Sequence, residues 1–142
     1  MHTILAPVIA LVIWSLIMLA WLALMRFPAM AKSNIPLSKV PPGGRGQNLE
    51  GVLPDRINWP SHNYAHLMEQ PVLFYATALV LHQLAPSELA IQLAWGYVAL
   101  RVAHSLWQAL VNQVPVRFLL FVFATACLVG MIAEAVRTLM AM

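Results

Sequence analysis

The chain has 142 residues, of which 61% are hydrophobic and only 9% charged, with a formal net charge of +3. A soluble domain carries about 25% charged residues, and a chain this short has too little interior to bury so many apolar side chains. The composition therefore excludes a soluble globular protein. It predicts a single membrane-embedded domain over residues 1–142, in contact with lipids and without a nucleic-acid partner.

Four long apolar segments follow one another along the chain. Each has roughly 20 or more residues, which is enough for a helix to cross the hydrocarbon core. We predict helices over residues 3–28, 62–85, 88–111 and 115–140. No Lys or Arg precedes the first segment, which is atypical of a cleaved signal peptide, so we expect it to be retained. The predicted fold class is all-α, an integral membrane four-helix bundle.

The connections between these helices predict the orientation of the chain. The first loop, residues 31–61, is long and rich in proline and glycine, whereas the others are short. Most Lys and Arg residues lie in this loop, next to it, or next to the connection 112–115. The positive-inside rule therefore predicts that both loops are cytoplasmic and that both termini lie outside the cytoplasm.

The second predicted helix carries three ionisable side chains in its cytoplasmic half. His62, His66 and Glu69 are spaced at i, i+4 and i+7, which places them on one helical face. Each such group costs on the order of 2.5–3.5 kcal/mol near the bilayer centre, so it needs a partner or a function. Pro71 follows closely and is expected to bend the helix near Glu69.

The third predicted helix carries a matching polar face. Arg101, His104 and Gln108 are spaced at i, i+3 and i+7, and Arg101 lies at about the same depth as Glu69. A guanidinium and a carboxylate at matching depth predict an ion pair with two hydrogen bonds. The pattern predicts no metal site, and Cys127 is expected to be a small core residue.

Two further arginines lie at cytoplasmic helix ends, Arg26 after the first helix and Arg117 at the start of the fourth. Such a cluster suits a small anion that also has an amino group, and an arginine beside a thiol favours the thiolate. Two simpler interpretations stay open. The arginines can extend to the interface, as flanking arginines do, and the pair of Glu69 with Arg101 can serve helix packing alone.

Three stretches carry a resemblance to a known family. They are residues 66–75 (HLMEQPVLFY), 97–105 (YVALRVAHS) and 112–118 (NQVPVRF). Together they resemble the MAPEG family, the membrane-associated proteins in eicosanoid and glutathione metabolism, and most closely a bacterial branch. The resemblance covers essentially the whole chain. It implies a homotrimer in the inner membrane, with glutathione sites between subunits near the cytoplasmic side.

The resemblance also implies roles for individual residues. Arg117 matches the catalytic arginine that stabilises the glutathione thiolate. The matching cofactor-binding positions are Arg26, His62, His66, Glu69, Arg101, His104 and Gln108. Three of these depart from the family pattern. His62 and His66 replace an arginine and an asparagine, and Gln108 replaces a tyrosine, so several glutathione contacts change.

Three functions are compatible with this sequence. The first is a membrane glutathione transferase or peroxidase that acts on lipophilic electrophiles or lipid hydroperoxides. The second is a non-catalytic accessory or lipid-binding subunit that retains the fold with a degraded thiol site. A transporter that uses Glu69 as a proton carrier ranks last, because Arg101 beside it would hold the carboxylate in its charged form.

Overall fold

Five α-helices account for most of the chain in the computed structural model, which describes residues 3–33 and 40–142. They are α1 (Leu5–Lys32), α2 (Asp55–Leu67), α3 (Pro71–Gln83), α4 (Glu88–Leu110) and α5 (Val114–Met140). In the described ranges, the bridge between Glu50 and Leu53 is isolated and no β-strand forms. The prediction of an all-α four-helix chain is therefore confirmed, with α2 and α3 together in the place of the second helix.

The first loop is shorter than predicted. α1 continues to Lys32, α2 already begins at Asp55, and a short 3-10 helix occupies Gly46–Leu49. The prediction of a loop over residues 31–61 is wrong at both ends, because the ends were placed where the apolar segments stop and begin. The early turns of α2 are polar, so an apolar pattern does not reveal them. Residues 1–2 and 34–39, including Lys39 of the predicted cytoplasmic loop, lie outside the described residues.

Pro71 divides the second predicted helix into two. Residues 68–70 form a turn, in which the backbone N–H of Met68 donates to the carbonyl of Ala65 at 2.9 Å. Proline has no N–H to donate to the carbonyl four residues earlier, and its ring crowds that carbonyl. The expected continuous helix over residues 62–85 is therefore wrong, and the chain forms the separate helices α2 and α3. As a consequence, Glu69 lies in the turn between them and is exposed.

The helix α4 lies at the centre of the bundle and packs against α1, α2 and α5. Its Tyr97 ring stacks on Phe74 of α3 with 4.5 Å between ring centroids. α4 and α5 approach closely at Gly130, where an added Cβ would lie 2.9 Å from Leu93 Cδ1. A small residue at such a crossing lets two helices pack without a gap, as is common in membrane bundles.

The outer faces of α1 and α5 are apolar and exposed. Leu24 on α1 is 75% exposed and Val129 on α5 is 58% exposed. Both helices are long and apolar enough to cross a membrane. Four spans were predicted, and the other two segments do not pass the same test in the described residues. α4 contains a polar face, and α2 and α3 are each too short alone.

The end of α3 depends on a left-handed residue, which yields a first testable prediction. Ala85 has φ of 56°, a conformation that costs an alanine about 1–2 kcal/mol relative to glycine. We therefore expect Ala85→Gly to raise the free energy of unfolding by about 1 kcal/mol, measured by thermal unfolding in detergent. The matched control is Ala133→Gly within α5, which should lower it by about the same amount. A loss of stability in Ala85→Gly would contradict the prediction.

Candidate functional site

The polar face of α4 is buried inside the bundle. Arg101, His104 and Gln108 are 0%, 3% and 5% exposed, and they share one side of the helix, as their spacing predicts. Ser105 on the same side is fully buried as well. Buried polar groups need hydrogen-bond partners, so the contacts of this face decide what it does.

Arg101 interacts with His66, and it does not form the predicted ion pair with Glu69. Its Nη2 donates to the backbone carbonyl of His66 at 2.8 Å and lies 3.3 Å from the His66 Nδ1. The ion pairs among the described residues do not include Arg101. The prediction is wrong for a single chain because the turn before Pro71 places Glu69 on the exposed surface. Within the described residues, Arg101 Nε and Nη1 have no hydrogen-bond partner.

Two histidines from different helices form one wall of a pocket. The rings of His66 and His104 stack, with 4.9 Å between centroids and 19° between planes. Phe121 of α5 meets the His66 ring edge-on at 5.5 Å. The pocket has a volume of about 170 Å³ and is lined by His66, His104, Gln108, Val114, Arg117, Phe118 and Phe121. We call it the Arg117 pocket.

The turn between α4 and α5 positions Arg117. Asn112, two residues after the end of α4, has the left-handed conformation, with φ of 58°, which asparagine tolerates better than most residues. Its side-chain oxygen accepts a hydrogen bond from Arg117 Nη1. The ion pairs among the described residues do not involve Arg117, so no carboxylate neutralises its charge there.

The Arg117 pocket combines polar and apolar chemistry. A guanidinium, two imidazoles and the Gln108 amide line one part, and Val114, Phe118 and Phe121 line the other. A neighbouring guanidinium stabilises an anion such as a thiolate. The Gln108 Oε1 atom has no hydrogen-bond partner among the described residues and can accept from a bound donor. The pocket thus suits an anion beside an apolar partner.

The other predicted site residues lie elsewhere. Arg26 and His62 line a second pocket of about 340 Å³, together with Gly46, Gln47, Glu50, Ser61, Tyr64 and Ala65. Arg26 Nη2 lies 3.4 Å from Asn58 Oδ1, and His62 Nε2 lies 3.0 Å from Glu50 Oε1. We call this the Arg26 pocket. The predicted set is therefore divided between two pockets of one chain, and Glu69 and Arg101 line neither.

Sequence reasoning did not single out several residues that hold this region together. Asn63 Nδ2 donates to Ser105 Oγ at 2.6 Å and so links α2 to α4. Gln70 links three helices, since it donates to Thr125 Oγ1 at 2.8 Å and accepts from Tyr97 Oη at 3.3 Å. Neutral polar residues are common enough in apolar helices that they do not by themselves indicate a site. The sequence does show that Asn63 directly follows His62 and that Gln70 directly follows Glu69, both predicted site residues.

The contact between Asn63 and Ser105 yields a second testable prediction. We expect Ser105→Ala to lower the free energy of unfolding by about 1 kcal/mol, because the Asn63 amide would stay buried without its acceptor. The control is Thr77→Ala, which removes an exposed hydroxyl that bonds only within its own helix. That change should stay within about 0.5 kcal/mol of the wild type. Equal losses in thermal unfolding would show that the Asn63 contact adds nothing.

Among curated proteins and among solved structures, no match to the chain is found. The model of the MAPEG family matches residues 4–137, which is nearly the whole chain. This match includes every residue that lines the two pockets. The chain therefore belongs to the MAPEG family, and the family and the two long apolar helices together make it a membrane protein of a glutathione- and eicosanoid-related class.

Proposed function

We propose that this protein is a membrane-embedded transferase or peroxidase that uses glutathione, or a related thiol, against lipophilic electrophiles or lipid hydroperoxides. The observation that carries the proposal is the Arg117 pocket, where a guanidinium without a carboxylate partner in the described chain lies beside an aromatic wall. Thiolate attack on an apolar substrate requires these two environments next to each other. Family membership supports the same reaction class.

Arg117 is the catalytic residue in this proposal. Its guanidinium stabilises the thiolate that remains after the thiol releases its proton to solvent. The sulfur then adds to an electron-poor double bond: a carbon–sulfur bond forms, the π bond breaks, and the neighbouring carbon takes a proton from solvent. His66, His104 and Gln108 orient the bound thiol from the opposite wall. Phe118 and Phe121 contact the lipophilic substrate, which enters from the bilayer because Phe118 is 66% exposed on the outer face.

The proposed assembly is a homotrimer in which neighbouring subunits complete each site. Pockets for drug-sized ligands have about 300–1,000 Å³, so the 170 Å³ of the Arg117 pocket is small for a tripeptide thiol. Arg26, His62 and the exposed Glu69 lie outside this pocket in one chain. We propose that they bind the charged ends of the thiol across a subunit boundary. Arg101 supports the site through its contacts with His66. The proposed location is the inner membrane, with the loop after α1 and the connection 112–115 in the cytoplasm.

Isothermal calorimetry of glutathione with the detergent-purified protein tests this proposal. We expect saturable binding by the wild type, a large loss in Arg117→Ala, and unchanged binding in Arg137→Ala. Arg137 is the matched control because it lies on the same helix and pairs with Glu134 at 2.9 Å, far from the pocket. Absence of binding at millimolar glutathione would contradict the proposal, and an electrophile screen would follow a positive result.

The second candidate is a non-catalytic accessory or lipid-binding subunit. It is favoured by the adjacent Arg117 and exposed Phe118, since a cation beside an aromatic ring at a membrane interface also suits a lipid head group. Vesicles of anionic lipid distinguish the two. Binding of such lipid that depends on Arg117, without glutathione binding, would favour the accessory subunit.

A further inference from the structure

A short segment covers the C-terminal end of α1 and the first turns of α2. We call residues 45–53 the cap; it contains the 3-10 helix Gly46–Leu49. Asn58 of α2 is 1% exposed and holds the cap through its side-chain amide, which lies 3.3 Å from the Leu49 carbonyl and 3.4 Å from the Leu53 carbonyl. Leu53, itself 3% exposed, anchors the end of the cap in the bundle.

The backbone of the cap lies directly against Arg26. A Cβ added to Gly46 would lie 2.5 Å from Arg26 Nη1, so any larger residue there would require the Arg26 guanidinium to shift. The same guanidinium extends its Nη2 toward Asn58 Oδ1 at 3.4 Å. One asparagine thus contacts both the cap and Arg26, and this fixes the position of the cap over the Arg26 pocket.

Glu50 brings a carboxylate into that pocket from the cap. Its Oε1 lies 3.0 Å from His62 Nε2, and both residues line the Arg26 pocket together with Arg26 itself. Among the residues that line this pocket, Glu50 is the one carboxylate. The Glu50 and His62 side chains are 53% and 43% exposed, so solvent reaches the contact.

We propose that Glu50 is an internal competitor, which occupies the position that a ligand carboxylate takes in the Arg26 pocket. A carboxylate ligand binds Arg26 and His62 only after it displaces Glu50, so the cap lowers affinity for the free ligand. The contact is suited to this use because a solvent-exposed pair of polar side chains, charged or neutral, contributes little and is readily displaced. Such a contact keeps weakly binding anions out of the Arg26 pocket, while a carboxylate that binds more strongly can still enter. The inference rests on the proposed function insofar as the natural ligand is a thiol with carboxylate ends.

The test uses a probe that has no thiol, so that the thiolate chemistry proposed for Arg117 does not enter the measurement. Glutarate, a simple dicarboxylate, is titrated by calorimetry into the full-length protein and into Glu50→Gln. The change keeps the shape of the side chain and removes its charge. The control is Asp55→Asn, which removes the same charge from an exposed residue near the cap that does not line the pocket.

We expect Glu50→Gln to bind glutarate about two- to fivefold more tightly than the wild type, the factor that displacement of a weak exposed contact represents. Asp55→Asn should bind like the wild type. Equal tightening in both variants would overturn the proposal, since it would reflect net charge alone. No tightening in Glu50→Gln, or no glutarate binding to any of the three proteins, would overturn it as well.

The two proposals fail in different ways. Loss of the thiol mechanism would show as absent glutathione binding in the wild type and Arg117→Ala alike, whatever glutarate does. Loss of the Glu50 inference would show in the glutarate comparison, even if glutathione binds and Arg117 activates it. A double variant, Glu50→Gln with His62→Ala, tests the role of His62. It should not bind glutarate more tightly than the wild type, because His62 would no longer bind the incoming carboxylate.

Discussion

Replacing Arg117 by alanine is expected to lower the rate of thiol conjugation by about 10²–10³-fold, the usual cost of losing one group that stabilises developing or bound negative charge at a reacting centre. The fold should survive, because Arg117 is half-buried at the start of α5 and its hydrogen bond goes to the neighbouring Asn112 side chain. The measurements are turnover with a lipophilic electrophile and the ultraviolet absorption of bound thiolate. Both should fall together.

Two further variants make this expectation specific to the charge and its position. Arg117→Lys keeps the charge but loses the planar guanidinium, so it should retain part of the thiolate absorption and turn over more slowly than the wild type. Arg137→Ala removes an arginine that pairs with Glu134 at the opposite end of α5 and should leave turnover unchanged. Unaltered turnover in Arg117→Ala would exclude Arg117 as the catalytic residue.

Replacing Arg101 by methionine is expected to preserve or raise the melting temperature while it weakens glutathione binding at least about tenfold. Arg101 is fully buried, and its Nε and Nη1 lack hydrogen-bond partners among the described residues. A buried charge without a counter-ion costs several kcal/mol, and an apolar side chain of similar volume removes that cost. The price in function is the loss of the group that holds the His66 carbonyl and ring in position.

Arg101→Ala provides the control for volume. It removes the same charge but leaves a cavity, so it should lower stability by about 2–5 kcal/mol, as large-to-small changes in a core do. Thermal unfolding in detergent compares the three proteins. If methionine destabilises as strongly as alanine, the guanidinium contributes net stability. Arg101 would then stabilise helix packing by itself, in place of the predicted pair with Glu69.

The polar face of α4 was predicted correctly and that of the second predicted helix only in part, because one helix is continuous and the other is interrupted. On α4, residues 101, 104 and 108 share one face because the helix is uninterrupted, so spacing alone places them. Across residues 62–69, the same spacing rule failed at Glu69, since the helix ends at Leu67. The proline that causes the break is visible in the sequence, and it was expected to bend the helix. Whether proline bends a helix or divides it depends on the packing around it.

The sequence by itself determined the membrane class, the all-α architecture and the family, because hydrophobic runs and short local motifs need no knowledge of long-range contacts. Only the tertiary structure decided which of the eight predicted site residues meet. Contacts between side chains on different helices depend on how each helix is rotated about its axis and on the angle at which the helices cross. The spacing of residues within one helix contains no information on either. The assembled bundle therefore decided three features: the stack of His66 on His104, the division of the site residues between two pockets, and the contact of Glu50 with His62.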